Sequence, residues 1–167
     1  VLIDRDVTSY YPAIILNQGL YPKHLGDNFL RVYSSIVARR LEAKKSGDKV
    51  ASDSLKITIN GSFGKFGSKY STLFSPDLLI QTTITGQLSL LMLIHRLERK
   101  GFEVISANTD GIIIKIKRSR QGEYEEIIKK WEKDTGFETE ETQYKAVYSR
   151  DVNNYVAVKM DGKTKRK

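Results

Sequence analysis

Apolar and polar positions change their period several times along this chain, and each change marks an element. The opening VLIDRDV alternates like a short strand, on which Asp4 and Asp6, two apart, share a face. TSYYPAIILNQGLYP then reads as a turn into a short helix closed by Gly19 and Pro22. From Phe29 to about Lys45 the residues Phe29, Leu30, Val32, Tyr33, Ile36, Val37 and Leu41 recur at helical spacing. The turn SGD at 46–48 leads into a second helix from about Val50 to Phe63, with Leu55, Ile57 and Ile59 as its packing candidates. The two helices predict an αα-hairpin with a basic tip.

A Gly-rich stretch, NGSFGKFG, and a loop through STLFSPD follow. LLIQTTITGQLSLLMLIHRLERKG predicts a long helix ending at Gly101. FEVISANTDGIIIKIK reads as two short strands joined by a tight polar turn, with Asp110 at its tip. GEYEEIIKKWEKDTG is a helix with Glu/Lys pairs on a solvated face, and ETQYKAVYS and VNNYVAVKM are two closing strands. There are no repeats or low-complexity tracts. The order of strand, helices, hairpin, helix and strands predicts an α+β fold, an antiparallel sheet with helices packed on one face.

At 167 residues the chain can bury a core of its own. It carries 28 basic and 20 acidic residues, a net charge of +8 that favours a polyanionic partner, nucleic acid first. No apolar run approaches the length of a membrane span, so no membrane partner is expected. The chain starts in a strand pattern without Met and stops at MDGKTKRK, as a piece of a longer protein would. Cysteine is absent, which excludes disulfides and thiolate metal sites. His24 and His95 have no ligand-like spacing, leaving oxygen ligands for any metal.

Four features carry candidate chemistry. In DVTSYYP, an acid ends a strand just before a helix whose first N–H groups are unpaired and suited to anions; an isolated Asp there is more commonly a simple cap. In KITINGSFGKFG, Lys56 and Asn60 lie four apart on one helix face, a grip for phosphate. Glycines at 61, 64 and 67 allow close backbone approach, although the spacing is not that of a P-loop. Arg39, Arg40, Lys44 and Lys45 form a basic stripe on the preceding helix, by itself an ordinary solvated face. Asp110 is the fourth. Taken together, two acids on separate strands and cations on two helices are the equipment for two-metal phosphoryl transfer.

These residues resemble the palm and fingers of family B DNA polymerases, in a compact phage- or virus-like version. DVTSYYPAI is similar to the first palm motif, D-x-x-S-L-Y-P-S, and KITINGSFGKFG to the fingers motif K-x-x-x-N-S-x-Y-G. SANTDG resembles the second palm motif, Y-x-D-T-D-S, and VNNYVAV the later K-x-Y region. All four occur in family order across nearly the whole chain. The resemblance implies palm segments at 1–28 and 67–167 flanking a helical-hairpin fingers element at 29–66. It implies a DNA-directed DNA polymerase core that joins a dNTP to a primer 3′-OH on primer–template DNA. The metal would be Mg²⁺, two ions, with Mn²⁺ as an alternative.

By the same resemblance Asp6, Asp110 and the backbone carbonyl of Val7 would hold the metals. The backbone of Ser9 and Tyr10 would hold the triphosphate, with Arg40 (or its neighbour Arg39), Lys44, Lys56 and Asn60. Lys56 would also assist proton transfer to the leaving group. Tyr11 would pack under the deoxyribose and exclude a 2′-hydroxyl. Phe63, Gly64, Lys65, Thr109 and Tyr155 would lie along DNA. A thumb and any exonuclease domain would belong to the remainder of the polymerase chain, and a phage-encoded protein would work in the host cytoplasm.

Three positions depart from the motifs: Asn108 where the first Asp is usual, Phe63 for a Tyr, and Asn153 for the Lys of K-x-Y. Asn108 keeps a carbonyl acceptor but loses a charge. Together with the ends that break off in mid-pattern, it motivates a second reading, a catalytically degenerate polymerase-like domain that binds nucleic acid or scaffolds partners. Retention of Asp6, Lys56 and Asp110 together argues against that decay. A third reading, an RNA-binding sheet domain, would need an aromatic RNP pattern that the strands lack.

Overall fold

The computed structural model describes residues 1–166. In chain order these form β1 (Leu2–Val7), α1 (Tyr10–Asn17), α2 (Asn28–Ser46), α3 (Lys49–Lys65) and α4 (Pro76–Glu98). Then come β2 (Glu103–Ala107), β3 (Gly111–Lys115), α5 (Gln121–Thr135), β4 (Thr139–Asp151), β5 (Asn154–Lys159) and β6 (Thr164–Arg166). The chain divides into two compact units, one of Val1–Thr8 with the chain from Gly86 onward, the other of Ser9–Thr85.

The first unit is built on a six-stranded sheet in the order β2-β3-β1-β4-β5-β6, with every neighbouring pair antiparallel. The fold is therefore α+β, as the order of patterns predicts. Alternation along β1 decides what each face carries. Ile3 and Val7 are buried on one side, and Arg5 on that same side reaches Glu125 of α5. α5 turns Tyr124, Ile128 and Trp131 inward at i, i+4 and i+7, and the Trp131 indole donates to Ser89 O at 2.9 Å. Asp4 and Asp6 point to the other face. Strand β6 was not foreseen, because three residues of a basic tail carry no apolar alternation; it pairs Lys165 with Ala157 of β5.

The second unit is helical. Gly47 at φ 77° ends α2, and the Asp48 side chain accepts from Ala51 N at 3.0 Å to start α3, so SGD makes the hairpin turn. Ile15, Tyr33, Ile59, Phe66 and Leu78 form its core. Ile59 packs as expected, whereas Ile57 is 74% exposed. The inward face of α3 follows Ile59, and a residue two positions away lies about 200° around the helix.

The expectation about apolar runs needs correction. Among the described residues, α4 is long and apolar enough to cross a membrane by length and composition. Thr, Gln, Ser and Gly scattered through it had disguised the run. Its buried positions, Leu78, Thr82, Gly86, Leu90, Leu93 and Leu97, recur every three or four residues. That one-sided stripe is the pattern of a helix packed against protein along one face.

Candidate active site

The hairpin between β2 and β3 turns on Asn108. Its side-chain oxygen accepts from Asp110 N at 3.0 Å and from Gly111 N at 2.7 Å, while its own N–H donates to Gly111 O at 2.9 Å. This is an Asx-type turn, which needs a carbonyl-like acceptor at that position and no particular charge. Asn108, which departs from the motif by one charge, therefore shapes the tip through the acceptor it keeps, and Asp110 is left exposed.

Asp110 and Asp6 are brought to adjacent rungs of the sheet. Asp6 pairs with Gly111 across the β1–β3 ladder, and Val7 N donates to Asp110 O at 2.7 Å. The pairing demands glycine at 111. A Cβ there would collide with Asp6 Oδ1 and sit 2.7 Å from Arg5 O, a backbone atom that cannot swing away. On its other side Asp6 is in register with Glu140 of β4, so those two side chains share a face.

Asp4, on the same face as Asp6, is 3% exposed. One of its oxygens accepts from the Tyr144 hydroxyl at 2.7 Å and from Lys165 Nζ at 3.2 Å. Lys165 Nζ also lies 3.9 Å from Asp6 Oδ2. Burial works against the Lys165 charge, but Asp4 and Tyr144 outweigh it, and the ammonium titrates above the ordinary lysine range. Burial, then the bond to Asp4, pushes the Tyr144 phenol up, so it stays a donor.

On the helix-bearing face, Arg5 ties β1 down between the two acids. Its guanidinium donates to Thr139 Oγ1 at 2.7 Å and Glu141 at 2.8 Å, and reaches Glu125 at 3.4 Å. Burial and the neighbouring Glu141 raise Glu125 above the usual carboxylate range, against the opposing pull of Arg5. Sequence reasoning missed this clamp, along with the Asp4–Tyr144–Lys165 cluster, because both depend on cross-strand register.

Most of the remaining predicted residues lie in the helical unit. Ser9 is the only non-glycine at positive φ among the described residues, at φ 49° and ψ 50°. A left-handed conformation costs an L-residue roughly 1–2 kcal/mol, and such strain concentrates where a turn has a task. Ser9 begins α1 without capping it, and its hydroxyl instead accepts from Arg40 Nη1 at 2.6 Å. Arg40 Nε is buried with no partner. Of the two candidate arginines, Arg40 thus makes the contact to the turn, while Arg39 is exposed.

Tyr11 and Phe63 stack face to face, ring centroids 3.9 Å apart and planes 11° apart. Lys56, Asn60, Gly64 and Lys65 are exposed on α3, and Lys44 is exposed on α2. Back on the sheet, Thr109 is exposed at the hairpin tip, and Tyr155 is 8% exposed in a cluster with Tyr144 and Ala157.

Among the described residues no three His, Cys, Asp or Glu side chains gather into a metal-binding group. Asp6 and Asp110 bring oxygen donors, the type that a hard cation such as Mg²⁺ takes together with backbone oxygen, water and phosphate. The unpartnered Arg40 Nε beside the Ser9 turn fits an anionic group.

No protein-family model matches the chain. It is 28% identical to DNA polymerase II of Escherichia coli (strain K12) over 142 residues, covering 71% of this chain and 18% of that protein. Its fold matches the structure of the family B DNA polymerase from the hyperthermophilic archaeon Pyrobaculum calidifontis with a TM-score of 0.69 at 20% identity. That match covers 98% of this chain and 26% of the archaeal one, so the chain spans about a quarter or less of either relative.

Proposed function

From the chain's relationship to the family B DNA polymerases, we propose that it is the catalytic core of a DNA-directed DNA polymerase. Residues 1–28 and 67–167 would be the palm, which includes the sheet, and the helical hairpin within 29–66 the fingers. The carrying observation is the β1–β3 ladder, which sets Asp6 opposite Gly111 and hydrogen-bonds Val7 to Asp110, uniting two acids distant in sequence.

In this reading Asp6, Asp110 and the Val7 carbonyl would hold two divalent ions, Mg²⁺ by preference. When bound, these ions supply activation of the primer 3′-hydroxyl and neutralisation of the leaving pyrophosphate. The chain's own residues bind and orient. The Ser9 turn exposes the first N–H groups of α1 to the triphosphate, and Arg40, Lys44 and Lys56 offset its charge, with Asn60 beside them. Lys56 carries the proton donated to the leaving group. Tyr11 supplies a wall beneath the sugar, backed by Phe63, and Phe63, Gly64, Lys65, Thr109 and Tyr155 serve the DNA. The net charge of +8 suits that partner.

The degenerate alternative draws in part on Asn108, and against it stands the structural use of that side chain, whose oxygen serves the turn without a charge. The test is primer extension with four dNTPs and Mg²⁺ on a defined template. Template-directed extension is expected; DNA binding without extension would overturn the proposal in favour of a scaffolding role.

A further inference from the structure

We propose that Lys165, held by Asp4, is a positioning residue that acts as a resident counter-charge beside Asp6 and sets how strongly the site attracts divalent cations. The inference rests on the reading of Asp6 as a metal ligand.

Three observations carry it. Lys165 stands on β6, opposite Ala157, and its ammonium reaches past β5 and β4 to the middle of the sheet. There it is anchored by Asp4, which is 3% exposed and accepts simultaneously from Tyr144. The anchored ammonium lies 3.9 Å from Asp6 Oδ2, too far for a hydrogen bond and close enough for its charge to be felt. Asp4 shares a face with Asp6 and Glu140 and would otherwise add a further negative charge to the site. Paired with Lys165, it is neutralised in place.

The geometry gives the two partners opposite effects. Without the ammonium, Asp6 loses a competing cation and Asp4 is left as an added negative charge, so a divalent ion binds more tightly. Without the Asp4 carboxylate, the ammonium loses its anchor, turns to Asp6 and opposes the ion. A residue that merely braces β6 would move stability alone, and in the same direction for both substitutions.

Mn²⁺ titration of the protein, without DNA or nucleotide and followed by electron paramagnetic resonance, tests this directly. Lys165→Met is expected to bind Mn²⁺ about tenfold more tightly than wild type and Asp4→Asn about tenfold more weakly. Tenfold lies between the Coulomb values for unit charges about 4 Å apart in water and near a protein surface. Lys165→Arg should restore wild-type affinity. If Lys165→Met does not fold, Lys165→Gln takes its place with the same expected sign. Unchanged affinity in both variants, or shifts of the same sign, would overturn the inference. Asp110→Asn separates the two proposals: if wild-type Mn²⁺ binding does not depend on Asp110, the metal reading itself fails. If that dependence holds while Lys165 and Asp4 have no effect, only the present inference fails.

Discussion

Replacing Asn108 by Ala should loosen the tip that carries Asp110, and the cost can be worked from the turn. The substitution removes an oxygen that accepts from Asp110 N at 3.0 Å and from Gly111 N at 2.7 Å. Each neutral bond is worth about 1 kcal/mol net, and a donor left unsatisfied in a buried place costs about 1–3 kcal/mol. Asp110 N is at the exposed tip and can recruit water, whereas Gly111 is buried. Asn108→Ala should therefore destabilise the protein by about 1–3 kcal/mol, measured by urea unfolding with an unchanged slope. Primer extension should fall as well, because the ladder that fixes Asp110 begins at Gly111. Asn108→Asp keeps both acceptor positions and should retain the wild-type fold. Stability of Asn108→Ala equal to wild type, or equal losses in the Ala and Asp variants, would refute this account of the turn.

The other expectations follow from single contacts. Gly111→Ala forces a Cβ against Asp6 and the Arg5 carbonyl, so it should cost about 1–3 kcal/mol by overpacking, read as a lowered denaturation midpoint. Glu125 has a carboxyl raised in the folded state, chiefly by burial. Its protonated form therefore favours folding below the unfolded value, and that contribution is lost as pH rises through the raised one. Glu125→Gln should then be neutral or stabilising at pH 7 relative to wild type, with the gain vanishing below the ordinary Glu range; a large loss at pH 7 would show that the Arg5 contact dominates. Tyr11→Val removes the wall stacked on Phe63 and should raise ribonucleotide incorporation by about tenfold or more, the size of a single pocket contact. Unchanged sugar discrimination in competition assays would count against that role.

The α+β order was legible because each element has its own apolar period: the helical repeat from Phe29, the IIIKI strand, the Tyr124–Trp131 face of α5. Asp6 and Asp110 could be chosen from their flanking turns, since a strand ending in an acid before a helix and an acid at a hairpin tip are local patterns. What stayed hidden depends on register. Nothing in the basic tail announces that Lys165 pairs with Asp4, and nothing near Arg5 announces Glu125 and Glu141, because these contacts join residues far apart through strand pairing. The part Asn108 plays in the turn stayed hidden for a different reason: the sequence shows the acceptor it keeps, while the two N–H groups that this acceptor meets are set by the fold of the hairpin tip.

The central claim is that Asp6 and Asp110 jointly carry the chemistry. Single-turnover incorporation of one nucleotide, comparing wild type with Asp110→Asn at saturating Mg²⁺, tests it most directly. The account predicts a rate lowered by about a thousandfold or more, with primer–template affinity unchanged. Incorporation by Asp110→Asn at the wild-type rate would contradict it.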